Sequence, residues 1–483
     1  MESFGARLPS DLWRWTARDL ARGIRLRQIS SREVVESCLR RIDDVNPRVN
    51  ALVESSREKA LARADAADRA VSAGDVLGAL HGVPTSIKVN SDEAGHATTN
   101  GIVAFREAIA AVDAPQVKKL RDAGAVFVGR SNTPAFSFRW FTANDLHGRT
   151  LNPWDGRRTP GGSSGRAAAA VASGMVPFAQ GNDIGGSIRY PAYACGIVGI
   201  RPTVGRVPSW VGPTDVDESM SAQTMVAQGP LARSVDDLRL VLDAMSGFDA
   251  RDPSSVSVPP HSANPPMLRP IRVGLLTDVG VVRPEPAIRE ALDSAASWLA
   301  DAGYAVEPIE LPLLAEAWRL WWLLAMEDFR RIMPMVEELG DDAIRRAASH
   351  YHEVSKAWWG VQPGLVDYMN GYARRGTLIA RLQQFLERYP LVLLPVSAEL
   401  PFEQDADLAS VERTRQVIAA QWSMMAIPLV GFPAVAVPTS VSDGLPLGVQ
   451  LLAQRFREDL LLDAAEVIEG RAGRFTPIDP HNR

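Results

Sequence analysis

Ser187 is the first residue in this chain whose setting suggests chemistry. It follows two glycines in "GNDIGGSIRYP" (181–191), between an aspartate and an arginine. Glycine admits positive φ and leaves backbone N–H groups unobstructed. Successive N–H groups turned into one concavity bind an anion, the device that acyl-transfer chemistry uses for a tetrahedral oxyanion. A serine directly after such a loop places its Oγ beside the same atom. The plainer alternative is a tight turn with a hydrogen-bonding serine, and "GGS" alone does not separate the two.

A second loop, "TPGGSSG" (159–165), carries Ser163 and Ser164 and runs into the alanine-rich "RAAAAVAS". Either serine would serve as the N-cap of that helix. Residues 161–165 also satisfy G-x-S-x-G, but that motif needs a strand before it. The preceding "NPWDGRRTP" is polar and proline-containing, so the match reads as accidental.

A base is also required. The seven histidines are scattered, and His96 and His147 carry no local signature. H-E-x-x-H, a P-loop and G-x-G-x-x-G are absent, so no metal and no cofactor are expected. Lys88 remains, at the end of the apolar "GVPTSIK" (82–88). A lysine there either snorkels to the surface or sits desolvated, loses basicity and serves as a general base near neutral pH.

These residues need strand ends and loops to hold them. "ISSREVVESCLRRIDDVNP" opens with Ser30 and Glu33 in capping-box spacing, repeats apolar residues at helical period and is expected to close at Pro47. A second helix is expected over about 52–73. Strands are read at "HGVPTSIKVN", "AVFVGR", "IRVGLLT", "YAVEPIEL", "LVLLP", "AVAVPTS" and "LGVQLLA", with a helix over about 284–302 between two of them. Such alternation predicts an α/β layered fold with a largely buried sheet. The Pro- and Ser-rich stretch 246–270 reads as an exposed connection. The tryptophan-rich stretch 315–375 reads as the least regular region.

Bulk properties exclude several classes. A net charge of −5 without a long basic run argues against nucleic acid as partner. Two cysteines make neither a disulfide framework nor a zinc site, which favours a reducing compartment. The N-terminus lacks a signal-peptide pattern, and "WRLWWLLAM" (318–326) is too short to span a bilayer. A cytoplasmic protein with no membrane partner is expected.

Taken together, "GVPTSIK", "TPGGSSG" and "GNDIGGSIRYPAYACGIVGIRPTVGRVP", in that order, resemble the amidase signature family of serine hydrolases. The closing "GFPAVAVPTSVSDGLPLGVQLLAQRF" extends the likeness over most of the chain. The resemblance implies one α/β/α domain over 1–483 with a mixed central sheet flanked by helices. Its parts would be an N-terminal helical segment (about 1–75), a catalytic core (about 76–245) and a variable substrate-side segment (about 310–380). It further implies Ser187 as nucleophile, Ser163 as a bridging serine preceded by a cis peptide, and Lys88 as base. The N–H groups of Ile184, Gly185, Gly186 and Ser187 would form the oxyanion hole, with Ser164, Asp183 and Arg189 in support. Departures from the family pattern are Val89 and Asn90 after the lysine, Asn182 in place of threonine, and Arg166 in place of glycine. The last sets a cation near a helix N-terminus, where the dipole disfavours it, and so calls for a partner or a place in the site wall.

The resemblance implies hydrolysis of the C–N bond of a small amide. Aromatic wealth in "FSFRWF" (136–141) and around 318–359 points to apolar or aryl amides, with carbamates (urethanes) as a further class. Phe138, Trp140, Trp318 and Trp322 are the candidate substrate contacts, although tryptophans at helical spacing also pack into cores. The expected partner is a small molecule, and the chain is expected as a monomer or homodimer. Two other readings are weighed. One is the glutaminase subunit of a tRNA-dependent amidotransferase, which needs a charged glutamine pocket. The other is an inactive binding homologue, against which Lys88, Ser163 and Ser187 argue.

Overall fold

A computed structural model describes residues 11–55, 57–210, 217–258 and 270–481. Its spine is a mixed sheet of eleven strands: β1 (Leu52–Glu54), β2 (Pro84–Lys88), β3 (Val126–Ser131), β4 (Phe178–Asp183), β5 (Val198–Arg201), β6 (Ala227–Ala232), β7 (Arg272–Leu275), β8 (Ala305–Pro308), β9 (Leu391–Pro395), β10 (Ala434–Ser442) and β11 (Leu445–Ala453). They lie in the order β1-β3-β2-β4-β6-β5-β10-β11-β9-β7-β8. β2 runs parallel to β3 and β4, and β7 runs parallel to β8 and β9. The other neighbours are antiparallel. All seven expected strands are present, and the sheet with helices on both sides is the α/β architecture that the alternation predicts.

Side-chain alternation builds a core on each face. Val392, Leu394, Ala434 and Ala436 belong to one apolar cluster, whereas Leu391, Leu393, Val435 and Val437 belong to the other. Period-2 alternation sends successive residues to opposite faces, so strands covered on both sides become continuously apolar. The first cluster contains the alanines of α3, defined below, and the tryptophans of 318–322. That face carries the site.

The helices that bear on the argument are α1 (Ser31–Val49), α2 (Arg57–Ala73), α3 (Gly165–Ala172), α4 (Arg189–Cys195), α5 (Leu313–Leu339), α6 (Asp342–Trp359), α7 (Leu365–Arg388) and α8 (Trp422–Val430). The capping box of α1 is formed by Ser30 and Glu33. Three expectations are corrected. Pro47 does not close α1, which runs two residues further and turns at Asn50 (φ 55°). The second helix begins at Arg57, because Leu52–Glu54 pairs with β3 as the sheet edge. Asn46 Oδ1 fixes that turn by accepting the N–H groups of Ala51 and Leu52 at 2.8 and 2.9 Å.

The third correction concerns 315–375. Far from irregular, this stretch lies within α5, α6 and α7, three long helices. Aromatic residues at spacings of three and four positions pack there into one cluster, so burial overrides the poor intrinsic propensity of tryptophan. Of the Pro- and Ser-rich connection, residues 259–269 lie outside the described residues. No helix among the described residues is long and apolar enough to cross a membrane.

Candidate active site

Neighbouring strand ends bring the lysine and the glycine loop together. Lys88 is the last residue of β2, and Asp183 the last of β4, its parallel neighbour. Crevices beyond the carboxyl ends of such strands are where α/β sheets hold ligands. All five residues of β2 are buried, and the backbone N–H of Lys88 donates to Gln180 Oε1 at 3.1 Å.

Lys88 does not snorkel. Its Nζ lies 2.7 Å from Ser163 Oγ, 3.2 Å from Ser164 Oγ and 2.8 Å from Asn182 Oδ1. Burial pulls its pKa down to about 7, against the opposing pull of the Asp183 carboxylate. A neutral amine has two N–H donors and one lone pair. The donors match Asn182 Oδ1 and Ser164 Oγ, which leaves the lone pair for the Ser163 hydroxyl. The arrangement can therefore take a proton from Ser163.

The Gly162–Ser163 peptide is cis. A Cβ on Gly162 would stand 2.4 Å from the Arg139 carbonyl oxygen, so no larger residue fits. Ser164 occupies the N-cap position of α3, yet its hydroxyl caps nothing and belongs to the lysine cluster. Its backbone N–H donates to the Ser187 carbonyl at 3.2 Å, joining the two serine loops. Ser163 is 1% exposed and Ser187 is 7% exposed, so of this pair Ser187 is the one open to a ligand.

The two glycines have separate reasons. Gly186 has φ +95°, and a Cβ there would stand 2.6 Å from Met424 Cβ. Gly185 lies against Trp321, whose ring would be 3.2 Å from an added Cβ. Asp183 organises the loop: its Oδ1 accepts the Gly186 N–H at 2.9 Å, and its Oδ2 accepts the Ile188 N–H at 3.2 Å. Arg189 donates to both carboxylate oxygens at 3.0 Å and to the Met424 carbonyl at 2.9 Å, tying the loop to α8. Burial would raise the Asp183 pKa, but the buried Arg189 and Arg201 outweigh it and hold the carboxyl below its ordinary range.

This geometry splits the expected oxyanion donors. Gly186 N–H is already given to Asp183. Among the described residues the N–H groups of Ile184, Gly185 and Ser187 make no backbone hydrogen bond. Removing the Asp183 carboxylate would take the counter-charge from buried Arg189 and Arg201 and the acceptor from the N–H groups of Gly186, Ile188 and Arg189. Asp183→Ala is expected to lower stability by about 3–5 kcal/mol, read as a reduced midpoint in urea denaturation.

The other expected residues divide. Phe138 is half-buried and stacks on Phe329 at 3.8 Å between centroids. Trp140 is buried, and its Nε1–H donates to the Gly185 carbonyl at 2.7 Å. Trp318 and Trp322 are buried against Trp358. Arg166 is wholly buried and donates to the Gly148 and His147 carbonyls at 2.5 and 3.4 Å; its hydrogen bonds do not reach the lysine cluster.

Two contacts escaped the sequence reading. Trp321 donates to the Ile184 carbonyl at 2.8 Å; its position beside Trp322 was the only signal. Asn182 and Asn90, noted only as departures, form an amide pair at 3.0 Å beside Lys88. Asn90 also donates to Ser137 Oγ at 3.0 Å. Ser137 and Phe136 both have positive φ, so a strained turn delivers that hydroxyl.

Comparison with known proteins agrees with the chemistry. The profile of the Amidase family matches residues 33–462. The chain is 42% identical over 472 residues to an indoleacetamide hydrolase of Bradyrhizobium diazoefficiens, covering 96% of this chain and 87% of that protein. It is 32% identical over 484 residues to a glutamyl-tRNA(Gln) amidotransferase subunit of Moorella thermoacetica, covering 95% of this chain and 97% of that one. The crystal structure of a bacterial aryl acylamidase of the amidase signature family superposes with a TM-score of 0.83 at 28% identity, over 96% of this chain and 97% of that one. With the profile spanning most of its length, this chain belongs to the amidase signature family, whose members are hydrolases of carbon–nitrogen amide bonds.

Proposed function

We propose that the protein hydrolyses small aryl-acetamides, of which indole-3-acetamide is the type, through an acyl-enzyme on Ser187. One observation carries the reaction: Lys88 Nζ lies 2.7 Å from Ser163 Oγ with a pKa near 7. Neutral Lys88 takes the Ser163 proton as Ser163 takes that of Ser187, and Ser187 Oγ bonds to the amide carbon. Negative charge on the carbonyl oxygen is met by the N–H groups of Ile184, Gly185 and Ser187. The proton held on Lys88 returns through Ser163 to the leaving nitrogen, the C–N bond breaks, and ammonia departs. Water then hydrolyses the ester by the same relay.

The substrate class rests on the aromatic surroundings and on the likeness to the indoleacetamide hydrolase. The half-buried Phe138 and the apolar cluster that holds Trp140, Trp321 and Phe329 suit a flat aryl group rather than the polar side chain of glutamine. Burying such a ring is worth about 2–3 kcal/mol, roughly 30- to 150-fold. The expected result is that kcat/KM for indole-3-acetamide or phenylacetamide exceeds that for acetamide by this factor, with L-glutamine hydrolysed no faster than acetamide. An ammonia-release assay on the purified chain measures it. Glutamine as the best amide would overturn the reading in favour of the glutaminase, and an aryl carbamate in the same assay tests the urethane class.

A further inference from the structure

The helical segment expected to supply only a pocket wall also grips the loop that receives the oxyanion. Trp321, on α5, donates its indole N–H to the Ile184 carbonyl at 2.8 Å. Trp140, far earlier in the chain, donates to the next carbonyl, that of Gly185, at 2.7 Å. In a trans peptide the C=O and the following N–H point in opposite directions. Each indole therefore fixes one N–H. Trp140 sets that of Gly186, which meets Asp183 Oδ1 at 2.9 Å. Trp321 sets that of Gly185, which makes no backbone hydrogen bond among the described residues.

One side chain braces both rings, Trp140 directly and Trp321 through Trp322. Tyr351 packs on Trp140 at 6.2 Å and on Trp322 at 5.6 Å, and Trp322 packs edge-on against Trp321 at 5.1 Å. The Tyr351 hydroxyl donates to Asp407 Oδ2 at 3.0 Å, and Asp407 is paired with buried Arg139, the neighbour of Trp140. A glycine pair is the most pliable backbone available, and preorganised donors are effective because they need not reorient as charge develops.

We infer that Trp321 and Trp140 are positioning residues that lock the Ile184–Gly185–Gly186 peptides, so that the Gly185 N–H is aimed at the oxyanion before substrate arrives. This rests on the reading of Ser187 as nucleophile. It assigns the stretch around α5 a part in the rate of the chemical step as well as in substrate choice.

The test compares Trp321→Phe, which keeps a ring and loses the donor, with wild type. Steady-state kinetics on phenylacetamide, affinity for phenylboronic acid (a tetrahedral mimic on Ser187) and phenylacetamide binding in a Ser187→Ala background are measured. The expected result is a kcat lowered roughly 10- to 100-fold, less than or equal to the loss of a direct donor. Boronate affinity falls in parallel, while KM and phenylacetamide binding change less than about threefold, within ordinary ground-state variation. A raised KM with kcat retained, or boronate affinity unchanged, would overturn the inference.

Should Trp321→Phe fail to fold, Trp321→benzothienylalanine, which matches the indole shape without its N–H, carries the same comparison. Wild-type kcat in that variant would equally overturn it. Activity surviving in Ser187→Ala would instead defeat the acyl-enzyme reading itself, so the two failures are distinct.

Discussion

Ser187→Ala is expected to lower amide turnover by on the order of 10⁴- to 10⁶-fold while the melting temperature stays within a degree or two of wild type. Deleting the nucleophile of such a unit costs about as much as deleting the whole unit, because no other group forms the acyl-enzyme. Stability is spared for a local reason. The Ser187 carbonyl, which accepts the Ser164 N–H at 3.2 Å and joins the two serine loops, survives the change. The loop keeps Asp183, Arg189 and both tryptophans. Hydrolysis of phenylacetamide, followed beside a thermal melt, checks both halves. Comparable loss in Ser163→Ala with Ser187→Ala still active would reverse the roles of the two serines.

Lys88→Met is the second large effect. Methionine fits a long, fully buried site but supplies no lone pair. Kinetic loss at neutral pH is expected to be on the order of 10²- to 10⁴-fold, the contribution of a positioned general base. The shape of the pH profile is more diagnostic than the size of the loss. In wild type Lys88 must be neutral, so kcat/KM should fall tenfold per pH unit below about 7 and level off about one unit above it. The sign follows from burial, which disfavours the protonated form and makes neutral lysine available near physiological pH. In Lys88→Met that acid limb disappears. An unchanged limb near 7 would assign it to another group.

Much of this site could be read from residue order because its chemistry is local. Lys88 ends an apolar strand, and strand ends present side chains to a crevice. Ser30 and Glu33 announce their helix through bonds made within four residues. What stayed hidden depends on partners far along the chain. Phe178–Asp183 contains Gly181, Asn182 and Asp183, all poor strand formers. It is nevertheless a central strand, because β2 and β6 flank it on both sides.

The face of α5 that meets the loop was equally invisible. Helical spacing places Trp318 and Trp322 on one face, but only the packing of α5 against α8 turns Trp321 toward Ile184. Gly186 shows the limit most sharply. Its place in "GGS" suggests an oxyanion donor, and only the orientation of Asp183 commits that N–H elsewhere.

Reaction of the purified protein with an alkyl fluorophosphonate, followed by peptide mass spectrometry, reads out which hydroxyl is activated and whether Lys88 activates it. Such a reagent bonds to an activated hydroxyl and releases fluoride. One adduct per chain is expected, on Ser187, forming faster as pH rises through 7 and absent in Lys88→Met. An adduct on Ser163 or Ser164, or labelling of Ser187 at the same rate without Lys88, would contradict the assignment of Ser187 as nucleophile and Lys88 as base.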